Sequence, residues 1–485
     1  MTTETATASP EMTAAETADA SNTGRGGFWT LVREALRGAR HDYTALPLGR
    51  AILLLAVPMV LEMLMESLFA VADMFWVAKL GADAIATVML TESMLIIIYA
   101  FAMGLAMGAA AIVARRIGEK DPHGAARAAV QSIALGLGLA VVVGVAGAVA
   151  APKLLAAMGA SPDVIAIGTR FTRIMLGGSV TVILLFLINA AFRGAGDPTV
   201  SMRTLILANG INIVLGPLLV FGVGPFPQLG VTGAAIATTI GRGVGVLYQL
   251  RALRAGRGHL AVHREHLRID TGIMATIVRL SSTAIFQAFI GTTSWVALLR
   301  IVARFGSTAI GGYGIAIRVV LFALLPSWGM ANAAATLVGQ NLGAGRPDRA
   351  EQAVWRAAFY NLIFLGCTGL LFVLFGGPIV RGFSADPVVA GTGADALRII
   401  SAGFLFYAYG MVLTQAFNGA GDTWTPTLIN LFCFWLWEIP VAWLLARPLG
   451  LGPNGVFIAV LVGFSTMAIV SVVLFRRGRW KRVAV

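Results

Sequence analysis

AFRGAGD at Ala191–Asp197 returns as AFNGAGD at Ala416–Asp422, 225 positions further on. The same offset relates Gly81 to Gly306, Gly118 to Gly343, Pro122 to Pro347 and Pro162 to Pro387. It slips to 222 at Gly230/Gly452 and Gly233/Gly455, so one short loop absorbs the difference. Around these markers each copy holds six apolar stretches, each long enough for a helix to cross a bilayer, which takes roughly 20 residues. The expectation is an all-α polytopic membrane protein of twelve transmembrane helices in two six-helix lobes. Six is even, so the second copy enters the membrane in the orientation of the first, giving a parallel repeat with its pseudo-twofold axis along the membrane normal.

Composition agrees with that reading. The chain is 58% hydrophobic and only 12% charged over 485 residues, whereas a soluble domain carries roughly 25% charged residues. A net charge of +13 suggests nucleic acid until the charges are placed on the helices. With the N-terminus inside, 25 of the 36 Lys and Arg fall on one side of the membrane and nine on the other. By the positive-inside rule this puts both termini in the cytoplasm, and the basicity is topological, with no nucleic-acid partner. Cys367 and Cys433 both fall inside spans, so no disulfide framework is expected. An intramembrane enzyme would need converging catalytic groups, and all five histidines lie outside the spans.

Five segments follow. Residues 1–47 form a cytoplasmic tail; its first 27 positions are rich in Thr, Ala, Glu and Ser, lack an apolar signal core, and read as disordered. Phe28, Trp29, Leu31, Val32 and Leu36, with Arg33, Arg37 and Arg40, suit a helix along the headgroups, or equally a solvated basic linker. Residues 48–253 are the first lobe, spans 1–6, and residues 278–475 the second, spans 7–12. Between them residues 254–277 read as a solvated cytoplasmic linker, and its His259, His263, Glu265 and His266 as part of that linker, not a metal site. Residues 476–485 are a basic cytoplasmic tail. In the paired GAGD segments the glycines permit a tight turn and the aspartate can cap the next helix. Gly104/Gly108 and Gly241/Gly245 have the small-xxx-small spacing that lets helices approach closely.

An ionised carboxylate at mid-bilayer costs roughly 2.5–3.5 kcal/mol on insertion scales, so acids retained there need a compensating role. Span 1 holds Glu62, Glu66 and Asp73. At about 100° per residue they fall at relative angles of roughly 0°, 40° and 20°, a single narrow stripe. Span 2 adds Glu92 at about the level of Asp73. Crowded carboxylates can exchange a proton near neutral pH or hold a monovalent cation. The competing reading pairs them with Arg170, Arg173 or Arg242 as structural salt bridges. Pro58 interrupts span 1 below the stripe and provides either a hinge or a static kink. The second lobe has no such stripe: Leu298 stands where Asp73 would repeat. Its intramembrane charges are Arg300, Arg318 and Glu438, and Gln287, Met330, Tyr407, Trp437 and Glu438, with Phe286, Phe289, Phe404 and Phe406, are candidates to line a cavity for flat cationic or amphipathic molecules.

Pro58 followed by Asp73, VARRIGEKDP at Val113–Pro122, the paired GAGD turns and FWLWEIP at Phe434–Pro440 together resemble the multidrug and toxic compound extrusion (MATE) family over about Leu48 to Phe475. The resemblance implies an inner-membrane antiporter that exports organic cations or other amphipathic compounds against entry of protons or sodium, with no cofactor. It places Asp73 on the family's coupling carboxylate and Asn212 and Thr238 on its polar neighbours. The family's NxxxDP pattern in span 5 is broken here: Asn212 to Pro217 reads NIVLGP, without the acid. Glu62, Glu66 or Glu92 are then the candidates to replace it. Span 7 offers only Gln287, Thr292 and Thr293, so a sodium site in the second lobe is not expected and protons through the first lobe are favoured. A major facilitator-type exchanger would carry an Asp-Arg-rich signature that Arg115 to Ala128 lacks. A lipid or glycolipid flippase of the same superfamily is the alternative that Arg300 and Arg318 keep open. The protein is expected to act as a monomer among membrane lipids.

Overall fold

Proline sets helix starts in both copies: Pro122 and Pro347, and Pro162 and Pro387, each occupy the first turn, where a missing N–H costs nothing. The computed structural model describes residues 25–38, 40–256 and 258–483, with the side chains of residues 25, 26 and 69–73 excepted. The tail expected over residues 1–24 therefore lies outside the described residues. Helix α1 covers Arg25–Arg37, α2 Leu48–Val77, α3 Ala82–Gly118 and α4 Pro122–Ala157. Next come α5 (Pro162–Gly177), α6 (Ser179–Ala195), α7 (Pro198–Phe221) and α8 (Val231–Ala255). The second copy comprises α9 (Thr271–Val302), α10 (Ser307–Gly343), α11 (Pro347–Arg381), α12 (Pro387–Ala402) and α13 (Phe404–Ala420). Its last two spans are α14 (Trp424–Asn430) continuing through a π-helical segment, Leu431–Glu438, into α15 (Ile439–Ala446), and then α16 (Pro453–Arg476).

Ten of these helical stretches are long and apolar enough to cross a membrane, and α12 with α13, bent by 55°, makes an eleventh. The remaining expected span is α8, 25 residues long, whose apolar character is diluted by Arg242 and four glycines. The duplication is visible helix by helix. Ala82 and Ser307, Gly118 and Gly343, and Ala195 and Ala420 are equivalent ends. The loop after α7 covers residues 222–230 and its counterpart after α15 only residues 447–452, which places the three-residue slip of the repeat in that loop. Both GAGD turns need their second glycine: Gly196 and Gly421 adopt φ of 87° and 85°, the left-handed region that favours glycine.

Two helices cross between the repeats. The first half of α2 (Ala51, Ile52, Leu55, Met59) is packed in a core with Ala334, Leu337, Met411 and Phe417 of the second copy. Its far end, Val77, belongs to the core of the first copy. Helix α9 does the reverse: Ile277 and Leu280 lie in the first copy's core, Leu298 and Val302 in the second's. Pro58 sits where α2 changes cores. Backbones nearly touch on this half of the molecule. A Cβ added to Gly329 would lie 2.6 Å from the Val60 nitrogen, and one on Gly104 2.7 Å from the Ile285 nitrogen. At the ends of α3 and α10, a Cβ on Gly118 would run into the Gln340 carbonyl and one on Gly343 into that of Arg115. Small residues thus seal the repeats together toward the face that carries both termini.

That face is further tied by polypeptide outside the spans. Trp480 is fully buried, its ring stacked 4.6 Å from that of Phe475. Lys481 bridges Asp348 and Glu351 of α11 at 3.0 and 2.6 Å; the two carboxylates push its pKa up. The segment between the repeats is not a solvated linker. Leu260 and His266 are buried, and Gln131 on α4 exchanges hydrogen bonds with Arg268 and Asp270.

Candidate functional site

Glu62 is 1% exposed and forms an ion pair with Arg193 at the end of α6, a partner outside the Arg170, Arg173 and Arg242 set expected from sequence. Arg170 and Arg173 are exposed and form no ion pair with the acids of α2 among the described residues. One turn further along α2, Glu66 lies within electrostatic reach of Arg242 and Arg193. Arg242 in turn donates to the Tyr99 hydroxyl at 2.9 Å. The result is a quartet of two carboxylates and two guanidiniums on α2, α6 and α8, with Glu62 and Arg242 buried and Glu66 and Arg193 partly so. Asn212 and Thr238 are buried together, the Asn212 amide donating to the Thr238 hydroxyl at 3.0 Å, and the amide of Asn209 donates to the backbone oxygen of Met65 at 2.7 Å. The Asp73 side chain, which the family resemblance ranks first, lies outside the described residues. Glu92 is exposed in the half of α3 remote from the termini.

Arg193 also stands where the two repeats are bolted together. Its backbone carbonyl accepts from the Thr336 hydroxyl on α10 at 3.2 Å, and the next carbonyl, Gly194, accepts from the Gln340 amide at 3.0 Å. The Tyr43 hydroxyl donates to Gly196 at 3.1 Å; burial pushes the Tyr43 pKa up, with Asp197 and Glu34 adding to it, so the phenol stays a donor. Charge on Glu62 is therefore linked through one arginine to the contact that closes the repeats. Arg193, Tyr43 and Gln340 were not singled out from sequence. The available signal was the single mismatch between AFRGAGD and AFNGAGD, Arg193 against Asn418.

The repeat offset turns that mismatch into a comparison between lobes. Glu62 corresponds to Gln287 and Arg193 to Asn418, so an ion pair in one copy faces two neutral amides in the other. Asn418 donates to Gln415 at 2.7 Å, which donates to Asn332 at 3.0 Å. The side-chain carbonyl oxygens of Gln287 and Asn418 are buried without a hydrogen-bond partner. The other second-lobe candidates occupy separate settings. Tyr407 is packed 4.3 Å from the Phe464 ring and Met330 against the core shared with α2, whereas Trp437, Phe286 and Phe406 are exposed. Phe404 is a fully buried core residue. Glu438 ends the π-helical segment, is 3% exposed, and has no ion pair or hydrogen bond among the described residues. A Cβ on Gly463 would meet its carboxylate at 2.8 Å. Arg300 and Arg318 are exposed.

Two aspartate expectations separate in the structure. Asp422 does cap, accepting from the backbone and hydroxyl of Thr425 at 3.1 and 2.6 Å. Asp197 makes no capping bond to α7; its carboxylate is taken by the backbone and ring of His259 at 2.5 and 2.9 Å, because the segment between repeats folds back onto it. His123, Glu265 and His266 bring three potential ligand atoms within 4.8 Å of one another. The His266 Nδ1 accepts from the His263 backbone at 3.0 Å, so its Nε2 carries the proton toward His123 Nδ1, 2.9 Å away. That tautomer presents a hydrogen bond and not a lone pair to a metal.

Two parallel six-helix repeats, exchanging a helix half each and joined where Thr336 and Gln340 meet the end of α6 beside the charge cluster, define a multi-pass membrane transporter and not an enzyme. The chain belongs to the MATE family: the MatE family model matches residues 58–218 and again residues 283–444, one match to each repeat. It is 26% identical over 445 residues to a probable multidrug resistance protein, NorM, of Thermotoga maritima, covering 89% of this chain and 93% of that one. It is 25% identical over 411 residues to an FAD transporter of Shewanella oneidensis, covering 83% and 89%. Among solved structures it resembles an outward-facing multidrug resistance MATE transporter with a TM-score of 0.84 at 25% identity, covering 90% of this chain and 98% of that one.

Proposed function

We propose that this protein exports organic cations or amphipathic toxic compounds across a bacterial-type plasma membrane in exchange for protons, by alternating access of the two repeats. The observation that carries the reading is the Glu62–Arg193 pair, because Arg193 also supplies the carbonyl that Thr336 of the opposite repeat holds. With two acids and two arginines in the quartet the cluster is balanced. A proton arriving on Glu66 or Glu62 leaves a guanidinium in excess, which weakens the hold on Arg193 and favours parting of the repeats on the side of the termini. Pro58, at the point where α2 passes from one core to the other, gives that helix a place to bend without an intact backbone ladder. Closely packed glycines on the terminus-bearing side support a state in which the repeats are closed on that side.

The second repeat suits the cargo more than the ion. Its counterpart positions carry the neutral amides Gln287 and Asn418, whose side-chain carbonyl oxygens are buried without a partner. Sequence similarity to transporters named for multidrug resistance supports the cargo class. The excess of Lys and Arg on one side supports a cytoplasmic location of both termini, and the reading takes the protein to act as a monomer. One proton moving down about 100 mV supplies roughly 2.3 kcal/mol, enough for about a fiftyfold gradient of a neutral cargo. The test is export from proteoliposomes under an imposed pH gradient or an imposed sodium gradient, with Asp73→Asn, Glu66→Gln and the double variant. Loss of proton-driven export in the double variant, with cargo binding kept, is the expected result. Undiminished proton-driven export by that variant, or export that responds to sodium alone, overturns the reading.

A further inference from the structure

A cavity of about 180 Å³ opens on the terminus-bearing face between α1, the start of α7 and the end of α8. Arg37, Arg40, Arg203 and Arg251 line it, together with Tyr248 and Thr199. Two acids also reach it, Glu34 and Asp197, and both are already engaged: Glu34 with Arg50 and His41 at 2.9 and 3.0 Å, Asp197 with His259 at 2.9 Å. The four arginines have no carboxylate partner among the described residues. Arg203 donates to the carbonyls of Leu36 and Arg37, and Arg40 to that of Gly256, contacts that aim the guanidiniums without cancelling their charge.

The surface running from this mouth along α7 and α8 is apolar and uncovered. Leu207 is one turn on from Arg203, and Leu247 one turn before Arg251, so each leucine shares a helix face with its arginine. Leu207 is 37% exposed and Leu247 66%, and Ile206 and Leu250 beside them are also exposed. Phe28 and Trp29 of α1 are also exposed, as aromatic residues are among headgroups. A cluster of guanidiniums above an apolar track complements a phosphate joined to acyl chains.

We propose that this cavity binds the phosphate-bearing headgroup of an anionic phospholipid, with its chains lying along Leu207 and Leu247. Bound there, the lipid links α1 to the ends of α7 and α8 and so to the helix that carries Arg242. The site does not depend on the transport reading.

Native mass spectrometry of protein released from nanodiscs of mixed phosphatidylglycerol and phosphatidylcholine tests it. Expected is preferential retention of phosphatidylglycerol, reduced about fivefold for each guanidinium removed in Arg251→Gln and in the double variant with Arg203→Gln. Arg398→Gln, at a distant surface, should leave retention unchanged, and millimolar inorganic phosphate should displace nothing. Arg251 makes no hydrogen bond among the described residues, so its single variant keeps the test decisive if the double variant fails to fold. Equal retention of the two lipids, unchanged retention in Arg251→Gln, or an equal loss in Arg398→Gln overturns the proposal. Displacement by inorganic phosphate also overturns it, assigning the cavity to a free anion.

Discussion

The Glu62–Arg193 pair can be rewritten into its own counterpart, because the second repeat carries Gln287 and Asn418 at the equivalent places. Glu62→Gln alone leaves Arg193 in a site only 14% exposed, without its main counter-charge. Breaking one side of a buried pair costs about 3–5 kcal/mol. Here Glu66 also lies within electrostatic reach of Arg193, so about 2 kcal/mol is the better figure. Arg193→Asn strands Glu62, which is more deeply buried and whose second oxygen already lacks a partner, and should cost about 3 kcal/mol or more. The double variant removes both charges and leaves two amides that can face each other, so its loss should fall below that of either single change, a coupling of about 3 kcal/mol or more. Thermal unfolding of the detergent-solubilised variants measures it. The structure adds a second readout: single variants should also loosen the Thr336 and Gln340 contacts to the α6 end, quickening hydrogen exchange over residues 193–197. If the double variant is as unstable as the sum of the singles, the two groups act independently and the proposed link from carboxylate to lobe contact fails.

Gly343→Leu should drive a side chain into the Arg115 carbonyl and hold the repeats apart on the terminus side; transport should vanish, and a variant that still transports at the native rate would show that this contact is not made in the cycle. Pro58→Ala restores the backbone donor that α2 lacks at its crossover; a several-fold fall in transport with little change in melting temperature is expected, and unchanged transport removes the hinge. Burial lowers the His266 pKa below 6.5, its unfolded value, so the neutral ring stabilises the fold above about pH 6.5 and that contribution is lost as pH falls through the folded value. Hydrogen exchange over residues 259–270 should therefore quicken between pH 7 and pH 5 in the native protein and not in His266→Gln; equal acceleration in both would place the sensitivity elsewhere.

Much of this architecture is legible in the residues because repetition leaves a local mark. The offset of 225, the positive-φ glycines and the prolines at helix starts each record a constraint that acts within a few positions, and the slip to 222 falls in the loop where the helices leave room for it. The charge partners were less accessible. An angular argument puts Glu62 and Glu66 on one stripe but does not say which helix faces that stripe. Arg193 was counted among the basic residues at a helix end, where the positive-inside rule explains it without a partner. The crossing of α2 and α9 between repeats was equally hidden, since each half of those helices is apolar in the same way whichever core receives it. The linker histidines show the same limit. His259 and His266 lie in a polar stretch, and only the return of that stretch onto Asp197 and His123 gives them partners.

Glu438 carries the same reasoning one step further. It is the second repeat's one buried carboxylate among the described residues, and in contrast to Glu62 no guanidinium has come to meet it. It lies at the end of a π-helical segment, and such segments are frequent where a helix serves function at some cost to regularity. If the acid only fills space beside Gly463, a neutral amide of the same shape relieves the cost of burying a charge, and Glu438→Gln should keep or raise the melting temperature while transport continues. If the acid takes up a cation during the cycle, the same substitution stabilises the protein and still abolishes transport. The fold therefore predicts stability in one direction under either reading, and the transport rate of that single variant decides whether the second repeat is an electrically silent partner of the first.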